Sequence, residues 1–250
     1  MERIILNQIS NPGISFTKDV NEKMLTLYDY ISSNNNMNCS YQEFQDNLIS
    51  NNIFTGSYIR SFIPFLFNSG MINDYTNGIK YNNFFTKNGL LYIKTINNLK
   101  NADENNIDLS KLNAIKNDLL CLSLDYMLKN NYKFIDKYLD ILEFVKNYKT
   151  INREEFYIME YCIQNNIDYE NYIEQYRNDN QNFEIMIKTN NDEILSYRSN
   201  NAFNYLIAFL AEEQCNYVIK YNQGDYMINK NREEFVDSIL NQSKKENGYE

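Results

Sequence analysis

Residues 55–96 read TGSYIRSFIPFLFNSGMINDYTNGIKYNNFFTKNGLLYIKTI, and the order of signals within them decides the fold. Apolar residues at helical spacing run from about Ser57 to Asn68, and Gly70 suits a left-handed stop behind them. MINDY and IKYNNFF predict two short strands around TNG, with Asn77-Gly78 as the hairpin signal. Thr86 then caps a helix whose apolar face is Leu90, Leu91, Ile93 and Ile96. Pro64 inside the first helix predicts a kink or a late start. Helix, glycine stop, strand, turn, strand and capped helix is the order of a winged helix-turn-helix, a shape that usually meets nucleic acid.

The flanks extend this pattern. NEKMLTLYDYISS (residues 21–33) places Met24, Leu25, Leu27, Tyr28 and Ile31 on one helical face, and Ser40 with Glu43 forms a capping box for a second helix to about Ile49. Residues 1–100 therefore predict one complete winged-helix domain. KNADENNID reads as a polar linker, and two amphipathic helices follow as far as Tyr148, so residues 101–150 predict a helical connection. Beyond it, Asn152 and Glu155 form another capping box and DYENYIEQYRND reads as helix. Residues 199–213 place Phe203, Leu206, Ile207 and Leu210 on a helical core face. NYVIKY, NQGD and YMINK predict a hairpin, and Asn231 with Glu234 caps a last helix. Residues 151–250 thus predict a second winged-helix-like domain that borrows its first two helices from the connecting region. The expected fold class is mostly α with small β wings: tandem winged modules joined by helices.

Composition removes several chemistries. Histidine is absent, which excludes a histidine base or ligand. The four cysteines, Cys39, Cys121, Cys162 and Cys215, are scattered inside apolar patterns and read as buried thiols of a cytoplasmic protein rather than as a zinc site. No signal segment or membrane-length apolar run is visible, so a soluble chain is expected. The 44 asparagines beside 22 Tyr and 15 Phe are explained by AT-rich codons and carry no functional reading. The net charge of -9 weighs against casual nucleic-acid binding. It is unevenly spread, however: residues 1–100 hold 8 Lys+Arg against 7 Asp+Glu, and residues 101–250 hold 16 against 26.

A third helix that enters the major groove meets base edges with its first polar residues, while the wing meets the backbone. In the first module this nominates Ser57, Tyr58, Arg60 and Ser61 on the helix and Asn77, Lys80 and Lys87 on the wing. Arg60 has the fork to pair with guanine, and the hydroxyls of Ser57, Tyr58 and Ser61 are expected on phosphates. In the second module the equivalents are Arg198, Ser199, Asn200, Asn201 and Asn204, with Lys220 and Gln223 on the wing. The bland alternative is that these polar residues are caps and solvated surface.

Catalysis is not legible. No carboxylate is followed by lysine at the spacing of a metal-dependent nuclease, and acid pairs such as Glu154-Glu155 and Glu233-Glu234 read as helix ends. There is no phosphate-cradling glycine loop and no nucleophile elbow, so neither a cofactor nor a metal is expected.

NPGISFTKDVNEKMLTLYDYI resembles the opening of FokI-like type IIS restriction endonucleases, and TGSYIRSFIPFLFNSGMI followed by FFTKNG resembles their first winged-helix subdomain. INREEFYIMEYCIQNN and the last helix-wing-helix are similar to recognition segments of the AlwI and BstNBI-like group. The resemblance implies a sequence-recognition module for double-stranded DNA whose nuclease domain or subunit is separate. Two other readings stand beside it: a winged-helix transcriptional regulator or replication-initiator-type protein that binds DNA as a dimer, and a non-catalytic protein-interaction module.

Overall fold

The computed structural model describes residues 2–102, 108–178 and 183–246. Most of the polar stretch expected as a linker, residues 103–107, lies outside them. The described chain is mostly helical with small sheets, and none of its helices is long and apolar enough to cross a membrane. It divides into two compact units, and neither boundary falls at residue 100 or 150. The first unit is Gly13–Ile135 with Glu213–Cys215. The second is Met1–Pro12, which carries strand β1 (Glu2–Asn7), together with Asp136–Glu212 and Asn216–Glu250. The helices expected as a connection are therefore not a body of their own.

The first unit opens with α1 (Lys18–Ser33), whose Thr17 cap accepts from the Val20 amide and whose buried residues Val20, Met24, Leu27 and Ile31 recur at three- and four-residue steps. A short strand, β2 (Asn38–Cys39), leads to α2 (Tyr41–Ser50) through the Ser40–Glu43 capping box, in which both reciprocal bonds form. Helix α3 (Gly56–Asn68) runs on through Pro64 instead of starting behind it. The ring removes the amide that the Arg60 carbonyl needs, so the helix tolerates one lost rung.

The segment expected to form a wing differs from the simple hairpin that the sequence suggests. Strand β3 (Ile79–Lys80) pairs antiparallel with β2, Asn38 opposite Lys80, while the MINDY segment meets the returning chain through the isolated Ile72–Phe85 bridge and the Asn73 side chain, which donates to the Asn83 carbonyl at 2.8 Å. The cause lies in Asp74. Its carboxylate accepts from the Thr76 amide, the Thr76 hydroxyl and the Asn77 amide group, which folds the chain before Gly78, at φ +100°, can close a two-residue turn. A 3-10 turn, Tyr81–Asn83, then separates β3 from the Phe85 bridge. Thr86 caps α4 (Lys87–Lys100) and also donates to the Gly70 carbonyl at 2.6 Å. Helix α5 (Leu109–Lys129) packs on α4, and Gln214 closes the unit by accepting from the Ser15 hydroxyl and the Phe16 amide. Aromatic rings fill the core: Phe16 contacts Phe65 and Tyr92, and Phe44 contacts Tyr81 and Phe84.

Asparagine has a structural use that codon bias conceals. At Asn51-Asn52, Asn130-Asn131 and Asn165-Asn166 the first Asn donates its side-chain amide to the carbonyl four residues back, each at 2.8 Å. The second Asn takes the left-handed conformation, with φ between 48° and 55°. The next amide then reaches the carbonyl five residues before it, as in Tyr132 to Met127 at 2.9 Å. Each pair thus does at a helix end what glycine usually does.

The second unit continues with α6 (Ile135–Tyr148), β4 (Thr150–Ile151), α7 (Arg153–Gln164) and α8 (Glu170–Asn178). It proceeds through β5 (Phe183–Lys188), β6 (Ile194–Ser196), α9 (Ala202–Leu210), β7 (Val218–Asn222), β8 (Asp225–Ile228) and α10 (Glu233–Glu246). The sheet β4-β8-β7 is antiparallel, with the short strand on the returning arm of the hairpin. A second sheet pairs β1 parallel to β5 and β5 antiparallel to β6. When β1 and the segment α8-β5-β6 are set aside, α6, β4, α7, α9, β8 and α10 follow in the order of α1, β2, α2, α3, β3 and α4, and β4 pairs with β8 as β2 pairs with β3; β7 has no counterpart among the first unit's described strands. Arg177 on α8 holds the inserted segment in place: it donates to Glu155 at 2.6 Å and to the carbonyls of Tyr148 and Thr150 at 2.8 Å. The expected Asn231 cap is replaced by Asn229, whose side chain accepts from the Asn231 amide and starts a 3-10 turn ahead of α10.

Candidate nucleic-acid interface

Helix α3 presents Ser57, Arg60 and Ser61 to solvent. Arg60 makes no ion pair among the described residues, so its five donors remain available. Tyr41, at the start of α2, feels the Arg60 charge, which draws its phenol pKa down while burial raises it more strongly. The Tyr41 ring lies 4.8 Å from that of Tyr75 in the wing, so the start of α2, the exposed side of α3 and the wing share one side of the unit. Lys80 and Lys87 are exposed and likewise without an ion pair. Ser57 faces the Thr55 hydroxyl at 3.3 Å, and Ser61 donates to the Tyr58 carbonyl at 3.0 Å; both keep lone pairs toward water.

Two residues expected at this site are engaged within the unit. The Tyr58 hydroxyl is buried and makes no hydrogen bond, so it cannot reach a phosphate. Its ring packs on Phe54 and Phe62, burial raises its pKa, and Lys23 stands 4.3 Å over its face. Asn77 donates to Asp74 at 2.7 Å and serves the wing's turn first. Lys23 was not legible as part of this region, because only the packing of α1 brings it to α3.

In the second unit the start of α9 is more crowded. Asn200 is engaged on every side: its side-chain oxygen accepts from Tyr157 and the Ala202 amide, and its nitrogen donates to the Ile9 carbonyl at 2.9 Å. An amide so engaged cannot read adenine, and Asn200 leaves the candidate set. Arg198 donates to the Tyr197 hydroxyl, which itself donates to Glu154 at 2.5 Å, so a carboxylate stands behind this cation. Ser199 turns back to the Ser196 carbonyl. Asn201, Asn204, Lys220 and Gln223 are exposed, although Asn201 caps α9 by position without a side-chain bond.

Charge separates the units as well. The first holds 11 Lys and Arg against 12 Asp and Glu; the second holds 13 against 21. Among the described residues no three cysteine or acidic side chains are placed to share a metal ion. In comparisons with family models, curated proteins and solved structures, the chain matches none.

Proposed function

We propose that both units are winged helices and that the first binds duplex DNA, with α3 in the major groove and the Lys80–Lys87 region on the backbone. One observation carries this reading: the near-neutral first unit exposes Arg60 and Ser61 on the third helix of a helix-strand-helix-helix-strand-turn-helix succession, with no acidic partner among the described residues drawing the arginine away. A planar guanidinium at that position suits the paired acceptors of guanine. Ser57, Ser61, Lys80 and Lys87 supply sequence-independent contacts. The likeness to type IIS recognition segments makes the specific form of this proposal a recognition module that works with a nuclease on another domain or subunit.

Retention of duplexes from a randomised library at two salt concentrations tests it. Enrichment of an asymmetric motif, with affinity falling as salt rises, supports a recognition module. A palindrome transfers the reading to a dimeric regulator or replication initiator. Absence of any enrichment removes DNA from the account.

A second reading belongs to the second unit, which holds the excess acid. Tyr221 at its wing is 58% exposed and Phe235 on α10 is 54% exposed. Acidic surface with exposed aromatic rings suits a protein partner better than a phosphate backbone. In this reading the second unit docks a protein while the first reads DNA.

A further inference from the structure

The first unit also contains a cavity of about 650 Å³ bounded by α1, α4 and α5, a size typical of small-molecule sites. Its apolar floor includes Phe16 and Ile96, both buried, with Leu25 and Leu99 half-buried beside them. Lys18, Lys100 and Lys116 stand around it, one from each of the three helices, and none of them is in an ion pair among the described residues. Two carboxylates, Glu22 and Glu213, share the lining, so the cations outnumber the acids by one. Asn21 also lines the cavity. Its side-chain oxygen accepts from the Tyr92 hydroxyl at 2.9 Å, which leaves the amide nitrogen, a donor, as its remaining polar group.

We infer that this cavity binds a small amphipathic anion, with a carboxylate or phosphate head at Lys116 and its neighbours and a hydrocarbon body over Phe16, Leu25, Ile96 and Leu99. Lys116 is the anchor. It is half-buried, and burial draws its ammonium pKa down further than Glu213 restores it. A half-buried cation without an ion pair gains from an incoming anion more than an exposed one does, because the surrounding medium screens the pair less. The apolar floor supplies the rest, since a hydrocarbon chain that covers it leaves water. A neutral or cationic head lacks the first contribution and, in the cationic case, faces a lining whose charge is net positive.

Three probes that share one tail separate these contributions on the full chain: decanoate, 1-decanol and decylamine, each titrated calorimetrically below its aggregation limit. Decanoate is expected to saturate at one site, about tenfold or more tighter than decanol, as a charge-assisted contact implies. Decylamine is expected not to bind. Lys116→Met should bring decanoate to the affinity of decanol while decanol binding persists, which shows that the cavity is intact. Lys100→Gln, at an exposed position, should weaken decanoate in the same direction. Equal binding of the three probes, no saturable site, or unchanged decanoate affinity in both variants would overturn the inference.

Discussion

Gly89, in the first turn of α4, lies against the Met71 carbonyl so closely that a β-carbon on it would stand 1.9 Å from that oxygen. The contact explains the glycine of FFTKNG. Thr86 caps the Gly89 amide at 3.0 Å while bonding back to Gly70, so the end of α3, the wing and the start of α4 are fixed together at this point. Gly89→Ala is expected to destabilise the protein by about 1–3 kcal/mol through overpacking against backbone that cannot yield. Urea unfolding measures it, and a midpoint like that of the wild type would mean that the approach is looser than described.

The asparagine stops yield a paired comparison. Asn131 sits at φ 48° behind α5. Asn131→Ala should cost about 1–2 kcal/mol for holding a β-carbon in the left-handed region, and Asn131→Gly should be tolerated. Equal stability of the two variants would show that the second asparagine of the pair contributes nothing through its conformation.

Arg177 ties the inserted segment of the second unit to α7. Its partner Glu155 is almost wholly buried, with 3% of its side chain exposed. Arg177→Ala strands that carboxylate and is expected to cost about 3–5 kcal/mol, whereas Arg177→Ala with Glu155→Gln should recover part of the loss. No recovery in a denaturation experiment would assign the loss to the two carbonyl contacts instead.

Acid should stabilise the second unit. Burial is the main reason that the Asp140 carboxyl is pushed up to about 7; Lys137 opposes this, while Glu160, Asp136 and Glu143 add to it. The buried Glu160, paired with Lys137 at 2.6 Å, is also raised by burial. A carboxyl whose folded pKa lies above its unfolded value of 3.8 binds its proton more tightly in the folded state. The resulting stability is complete below about 3.8 and is lost as pH rises through about 7. Asp140→Asn should flatten this dependence and raise stability in mildly alkaline buffer. An unchanged slope in denaturant midpoints between mildly acidic and mildly alkaline buffer would contradict the assignment.

Much of the helical layout was legible because its signals are local. Ser40 with Glu43, Asn152 with Glu155, and Thr86 with Gly89 each close a cap within three residues. The strands were less accessible. ERIILN and FEIMIK pair in parallel across most of the chain's length, and no local spacing announces such a partner. The wing was half legible: Asn77-Gly78 does mark a turn, but Asp74 redirects the chain so that β3 pairs with Asn38–Cys39. Among the candidate residues, the exposure of Arg60, Lys80 and Lys87 was implied by their place in the pattern. The loss of Tyr58 and Asn200 depended on contacts with Phe54, Phe62, Tyr157 and Ile9 that only the folded chain brings together.

If the exposed side of α3 reads DNA, the preference for a library-selected duplex over a scrambled one depends on Arg60, and affinities of wild type and Arg60→Ala for the two duplexes measure that dependence. Arg60→Ala is expected to lose about 1–3 kcal/mol on the selected duplex and little on the scrambled one. Wild-type affinity of Arg60→Ala for the selected duplex would contradict it.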